Sequence, residues 1–303
     1  MDVPAQASEG LELEPDSLSV APEAPAPTRP ASTAFEEEAA IDAAVSEPPH
    51  ELGLGYDIGG TGVKAALVNL GTGQLVSQRI RVKTPIPSVP AAVADVAKGL
   101  FEVISKEVEV PASAPVGCGL PGVLKNGRLL SAANIDRGWL EVSAEEVLGA
   151  AVGRRVYCLN DADAAGLAEV RFGAGKGVPG TVLLLTIGTG IGSAIFTDGH
   201  LVLNTELGHF RWRNNDAEKR ISGTARERRH ISWRKWATEF SEYLAEIEIW
   251  LNPDLIILSG GVSKEMARFG NYLKAKAPIV PAHFLNSAGI VGAAMFAGLA
   301  ERG

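Results

Sequence analysis

From Leu52 onward, apolar residues fall into short blocks separated by glycine-rich turns, and their spacing switches between strand and helix periods. The segments "LGLGYDI", "VKAALVNL" and "LVSQRIRV" read as three consecutive strands, with turns at "GGTG" and "GTGQ". A helical spacing over about 89–107 follows, then the strand "APVGCGL". Another strand, "RRVYCLN", runs into the helix "DAAGLAEVRFG". The series then restarts: strand "TVLLLTI", a glycine turn, and the strands "GSAIFT" and "HLVLNTEL". A long helix over about 233–251, the strand "DLIILSG" and the glycine-rich helix "AGIVGAAMFAGLA" complete the pattern.

The order strand, glycine turn, strand, strand, helix, strand thus occurs twice, without any residue-level repeat. It predicts an α/β protein of two related lobes with a cleft between them. We place the small first lobe at 51–162, with the last helix, 288–303, packing back on it, and the larger second lobe at 163–287. A run of 21 uncharged residues, Gly177–Thr197, is long enough to span a bilayer, but its five glycines and one proline divide it into two buried strands. No membrane span is expected.

Residues 1–50 lack this patterning. They are rich in Ala, Pro, Glu and Ser, and only "FEEEAAIDAAV" has a helical rhythm, so a disordered acidic tail is expected. The tail carries eleven Asp/Glu against one Arg, a net of −10, whereas the whole chain stands at −8; the remaining residues therefore sum to +2. Such a tail cannot be a basic DNA-binding head, and no nucleic-acid partner is expected. The two cysteines, Cys118 and Cys158, lie in apolar strands and read as buried, reduced thiols, which points to the cytoplasm. No charged segment followed by an apolar one opens the chain, so a secretory signal is not expected.

The candidate chemistry sits at the strand ends. In "DIGGTGVK", Asp57 precedes Gly59, Gly60, Thr61 and Gly62, and Lys64 follows. This is neither a Walker loop nor a dinucleotide fingerprint, because a strand follows instead of a helix. A Gly/Thr hairpin can turn its N–H groups toward a phosphate, with Lys64 as a point charge, although an ordinary glycine hairpin reads the same way. A similar turn after the second lobe's first strand holds Thr186, Gly188, Thr189 and Gly190, and a third holds Gly260 and Gly261. Three such turns facing one cleft suit an extended phosphate site. In "LNDADAAGLAE", Asn160 and Asp161 lie where a buried strand meets a helix, as helix caps or as a general base in the cleft. Glu206 and His209 in "NTELGHF", with Asn134 and Asp136 in "AANIDRGW", offer the fixed donors and acceptors that a polyol needs, while Trp139 reads as core.

In this order, "DIGGTGVK", "LPGV", "NDADAAGLAE", "LTIGTGIGSA", "NTELGH", "PDLIILSGGVS" and "NSAGIVGAAM" resemble the ROK family of sugar kinases, in particular its polyphosphate-using glucokinases and glucomannokinases. The resemblance extends through most of residues 52–298. It implies the two-lobed actin-like (ribonuclease H-like) ATPase/hexokinase fold, and phosphorylation of the 6-hydroxyl of glucose, with mannose as a further acceptor. The donor would be inorganic polyphosphate or ATP, with Mg²⁺, and the protein a homodimer. By motif position Asp161 is the general base. Asn134, Asn160, Glu206, His209 and Gly122 hold the sugar. Gly59 to Gly62 with Lys64, Thr186 to Gly190, and Gly260 with Gly261 hold the donor, and Asp57 orients Mg²⁺ through water.

One departure from the family is informative. Many members follow the Gly-His with a cysteine-rich zinc loop, but residues 210–236 contain no cysteine, so no zinc is expected. Residues 211–236 instead carry nine Lys/Arg against three Asp/Glu, among Trp212, Trp233 and Trp236. They read as a solvated face, as a nucleic-acid patch of interleaved basic and aromatic residues, or, the reading we favour, as a guide for a long polyanion at the edge of the cleft. A strictly ATP-dependent kinase, a sugar sensor without catalysis and an actin-like filament protein are the rival functions. The retained Asp161 argues against the sensor, and the "NTELGH" set against the filament.

Overall fold

The computed structural model describes residues 51–132 and 134–301; the acidic tail and its helical stretch lie outside the described residues. The strands in chain order are β1 (Leu52–Gly59), β2 (Gly62–Asn69), β3 (Ile80–Val82), β4 (Val116–Leu120), the small hairpin β5 (Leu124–Lys125) and β6 (Arg128–Leu129), and β7 (Val156–Asn160). They continue with β8 (Thr181–Ile187), β9 (Ile191–Thr197), β10 (His200–Val202), the hairpin β11 (Arg211–Trp212) and β12 (Asn215–Asp216), β13 (Leu255–Ser259) and β14 (Ile279–Pro281). The principal helices are α1 (Pro90–Glu107), α2 (Ala144–Val152), α3 (Asp161–Phe172), α4 (Trp233–Leu251) and α5 (Ala288–Ala300).

Two five-stranded sheets, β3-β2-β1-β4-β7 and β10-β9-β8-β13-β14, form the framework. Side-chain alternation along β2 decides what packs where. Val63, Ala65 and Leu67 face one core with α1 and α2, while Ala66 and Val68 face a second core built with α3, α5 and the second sheet. The far side of the second sheet forms a third core with α4, in which Trp236 stacks on Phe240 at 4.8 Å and Trp233 on Phe269 at 5.2 Å. Helices α3 and α5 therefore lie between the sheets. Helix α5 is apolar all round, as a helix enclosed by other elements must be. Its Gly292 passes so near α3 that a Cβ there would stand 1.6 Å from the Ala164 carbonyl oxygen, so only glycine permits this crossing.

Local signals account for the helix ends. Pro90 opens α1, whose apolar stripe is Val93, Ala97, Leu100 and Ile104. Ser232 caps α4 by accepting from the Lys235 N–H, and Asn252 ends it in the left-handed conformation at φ 43°. Among the described residues no helix is long and apolar enough to cross a membrane, and the uncharged run 177–197 is the antiparallel pair β8–β9. Cys118 and Cys158 are free and buried.

The structure corrects two expectations and adds one helix. The third strand shrinks to Ile80–Val82, because Leu67 gives its N–H to the Ser77 hydroxyl at 2.9 Å and Leu75 makes only an isolated bridge to Val68. The strand after β9 stops at Val202, because Asn204 turns left-handed at φ 60° and its N–H donates to Asp163 at 2.8 Å. Helix α2 was unforeseen although its sequence announces it: Ser143 accepts from the Glu146 N–H, and Gly153 closes it at φ 68°.

Candidate active site

A cleft of about 430 Å³ collects the ends of both sheets. One wall is the β1–β2 hairpin. Asp57 and Lys64 face each other across it, and the Lys64 ammonium donates to the Asp57 carboxylate at 2.5 Å. The turn is braced from outside, where the Thr84 hydroxyl donates to the Gly59 carbonyl at 2.5 Å and Arg81 donates to the Thr61 carbonyl at 2.9 Å. A Cβ on Gly60 would come within 2.7 Å of the Asn134 carbonyl oxygen, so this glycine lets Asn134 close over the turn. The opposite wall is the β8–β9 turn. There Gly188 donates to the Gly190 carbonyl at 3.0 Å, and Ile191 donates to the Glu218 carboxylate at 3.3 Å.

The floor is where β7 passes into α3. The Asn160 side chain accepts from the N–H groups of Ala162 and Asp163 at 2.8 and 3.1 Å, and donates to the Gly122 carbonyl at 3.0 Å. Asn160 is thus helix cap and loop anchor at once. Gly122 is needed there, since its φ is 144° and a Cβ would stand 2.3 Å from the Ser131 carbonyl oxygen. Asp161, the next residue, is half-buried in the cleft. Its carboxyl is pushed up to about 7, chiefly by burial, then by the Asp57 carboxylate and, less, by Glu206; the Ala162 N–H and Lys64 pull the other way. Behind it Asp163 is fully buried. It accepts from the Asn204 N–H through one oxygen, leaves the other without a partner among the described residues, and is pushed up to about 8, mainly by burial. Burial also raises Glu206, against the pull of His209. His209 stands 3.9 Å from Glu206 and 3.7 Å from Asp216, and Asp216 in turn pairs with Lys219 at 3.0 Å. Burial, with the Asp57 carboxylate beside it, leaves the cleft-facing Asp161 able to exchange a proton with a ligand hydroxyl near neutrality.

Nearly all the residues predicted from the sequence meet in this one cleft. Asp57, Gly59, Gly60, Thr61, Lys64, Gly122, Asn134, Asn160, Asp161, Thr186, Gly188, Thr189, Gly190, Glu206, His209, Gly260 and Gly261 all line it. Gly62 does not: it lies against Arg81, whose guanidinium would be 2.6 Å from any Cβ there. Asp136 is also set apart as the cap of a short helical turn, accepting from the Gly138 N–H at 2.8 Å, and Trp139 is core. Sequence reasoning missed Ser131, Glu218, Ser259 and Asn286, which also reach the cleft. Only Ser259, directly before Gly260 at the end of β13, carried a readable signal.

Five of the nine cations in 211–236 are ion-paired, four of them to acidic residues of α4. Buried Glu239 accepts two bonds from Arg229, at 2.7 and 2.9 Å, and lies 3.5 Å from Arg220 and 3.7 Å from Lys235. Arg226 stacks 3.8 Å over Trp233, and Arg213 pairs with Glu242. Arg226 and Arg229 therefore serve the fold first.

Residues 53–225 match the model of the ROK family. The chain belongs to the ROK family. Among its relatives in the family, the polyphosphate glucokinase of Mycobacterium tuberculosis is 44% identical over 244 residues, which span 80% of this chain and 90% of that protein. The inorganic polyphosphate/ATP-glucomannokinase from Arthrobacter sp. strain KM superposes with a TM-score of 0.80 at 45% identity, covering 84% of this chain and all of the other. A ROK family glucokinase from Streptomyces griseus, solved in complex with glucose and AMPPNP, gives 0.69 at 26% identity, covering 83% of this chain and all of the other. These ROK likenesses carry the two-lobed actin-like fold expected from the motifs.

Proposed function

We propose that this protein transfers the terminal phosphoryl group of inorganic polyphosphate or ATP to the 6-hydroxyl of glucose, and that it also accepts mannose. One observation carries the reading. Asp161, with its carboxyl pushed up to about 7, stands on the floor of a cleft whose two walls are the glycine turns. A general base works best with a pKa near the operating pH, and phosphoryl transfer depends mainly on positioning and charge neutralisation. The Asp161 carboxylate takes the proton of the sugar hydroxyl as that oxygen bonds to phosphorus, and the remaining donor chain leaves with the electrons of the broken P–O bond. Asn134, Glu206 and His209 hold the other hydroxyls, while Lys64 and the N–H groups of the turns hold the donor.

Mg²⁺ fits this site as a hard ion carried by phosphates more than by protein. Among the described residues no group of three acidic or metal-binding side chains forms a cage, and Asp57, which accepts from Lys64 through one oxygen, lines the cleft where it would hold a water of the ion's shell. Bound there, Mg²⁺ would neutralise charge on the donor phosphates. The similarity to proteins named polyphosphate glucokinase and polyphosphate/ATP-glucomannokinase supports the choice of donor and of both sugars. A homodimer is part of the proposal, and light scattering on the purified protein measures it.

The test is a rate grid: ATP or long-chain polyphosphate against glucose, mannose and N-acetylmannosamine, with Mg²⁺ and with a chelator. We expect turnover with glucose and mannose from polyphosphate, lost on chelation. No turnover with any pair, despite measurable glucose binding, would leave the sensor reading in its place.

A further inference from the structure

The edge strand β3 carries a feature that catalysis leaves unused. Arg81 lies within it, Arg79 and Lys83 directly flank it at the two alternate positions, and all three are exposed. Arg81 shares its face with Lys64 and Asp57, and stands beside the cleft, outside its lining. Arg81 stands opposite Lys64, and Lys64 opposite Asp57, while the intervening Ile80 packs into the outer core with α1. A row of cations therefore starts at the donor turn. Lys64 holds Asp57, Arg81 donates to the Thr61 carbonyl, and Arg79 and Lys83 flank it just beyond the two ends of β3, each within about 7 Å of Arg81 along the backbone.

Two facts separate this row from the basic residues at 211–236. The ion pairs among the described residues engage five of the nine cations at 211–236, Arg213, Lys219, Arg220, Arg229 and Lys235, and none of Arg79, Arg81 and Lys83. The row is also continuous with the turn that faces the donor, through the Arg81 hydrogen bond. Charged residues on an edge strand also discourage sheet-to-sheet aggregation. That role needs neither three cations at alternate positions nor a bond from one of them to the catalytic loop.

We propose that Arg79, Arg81 and Lys83 form a binding track for the distal phosphates of an inorganic polyphosphate chain whose terminal phosphoryl lies in the cleft. This rests on the polyphosphate reading above. A chain with a negative charge on every unit gains from each unpaired cation it passes, and it releases counterions as it does so. ATP, which ends in a nucleoside after three phosphates, has no further phosphate to place along the row.

The test compares wild type with Arg79→Glu/Lys83→Glu, which spares Arg81 and its bond to the turn. KM is measured for long-chain polyphosphate, for tripolyphosphate and for ATP over a range of salt. We expect KM for the long chain to rise at least tenfold and its salt slope to flatten by about 2, the value for two lost contacts, while kcat and KM for ATP and glucose stay as in wild type. The charge-neutral Arg79→Gln/Lys83→Gln should fall between the two and guards against a folding defect. An unchanged long-chain KM overturns the track, and so does an equal rise for ATP, which would mean that the loop itself had been disturbed. Wild-type binding of single-stranded RNA as tight as that of polyphosphate overturns the assignment to polyphosphate. If the wild type phosphorylates glucose from ATP but neither uses nor binds polyphosphate, the donor reading has failed, and the track falls with it.

Discussion

Replacing Asp161 by Asn should destroy activity and stabilise the protein, and the stabilisation should depend on pH. The folded-state carboxyl stands at about 7 against an ordinary 3.8, because burial and the neighbouring Asp57 disfavour its charge. The sign follows from linkage. Between these two values the folded protein holds a proton that the unfolded chain has released, so stability falls as pH rises from 4 to 7 and is flat above. A shift of about three units at about 1.4 kcal/mol each sets a ceiling near 4 kcal/mol above pH 8. Asp161 borders the open cleft, and solvent screening reduces this to about 2 kcal/mol. The neutral amide escapes that cost. In a protein of this size, Asp161→Asn should melt about 4–8 °C higher than wild type at pH 8, with the gap closing toward pH 4. Loss of a general base should lower kcat by about 10² to 10⁴. Thermal melts of both proteins without ligands, at half-unit pH intervals, provide the assay. A gap that does not change with pH, or a variant less stable than wild type at pH 8, would refute the electrostatic account of this site.

Other expectations follow from the same geometry. The kcat/KM for glucose should rise with pH along an acidic limb centred near 7, since that ratio reports the base of the free enzyme; a flat profile from pH 5.5 to 8 would remove Asp161 from that role. Gly292→Ala should cost at least about 3 kcal/mol in urea unfolding, because its Cβ would meet the Ala164 backbone oxygen where α3 and α5 cross; a change below 0.5 kcal/mol would mean that the helices can move apart. Glu239→Ala should cost about 3 kcal/mol, since it strips the buried partner of Arg229. Arg228→Glu, at an exposed site, should leave stability within about 0.5 kcal/mol of wild type.

What was legible in the sequence depended on how local the signal was. The long helices could be read because the proline that starts α1, the apolar spacing of α4 and the Gly/Ala run of α5 all act within a few residues. The glycine turns could be read for a related reason, since a turn between two buried strands must lie at a sheet's end, and here both sheets end at one cleft. Residues delivered by distant contacts could not. Asn286 reaches the cleft on a loop whose preceding N–H groups, those of His283 and Phe284, are held by buried Glu169 more than a hundred residues away. Glu218 enters by a short helical turn, Glu218–Ile221, whose approach to the β8–β9 turn is a long-range contact. The charge of 211–236 read as free because its main partner, Glu239, lies on another element and looks like any helical glutamate. The cations around β3 were passed over because their neighbourhood to the donor turn depends on pairing with β2 and on the Arg81 bond to Thr61, neither of which is a local signal.

The central claim is that Asp161 activates a sugar hydroxyl toward a phosphate chain held between the two turns. The most direct measurement is single-turnover formation of glucose 6-phosphate from glucose and long-chain polyphosphate with Mg²⁺, comparing wild type with Asp161→Asn at saturating glucose. The account requires product phosphorylated at the 6-position from the wild type, formed at least a hundredfold more slowly by a variant that still binds glucose. Equal rates from the two proteins, or a phosphate on another hydroxyl, would contradict it.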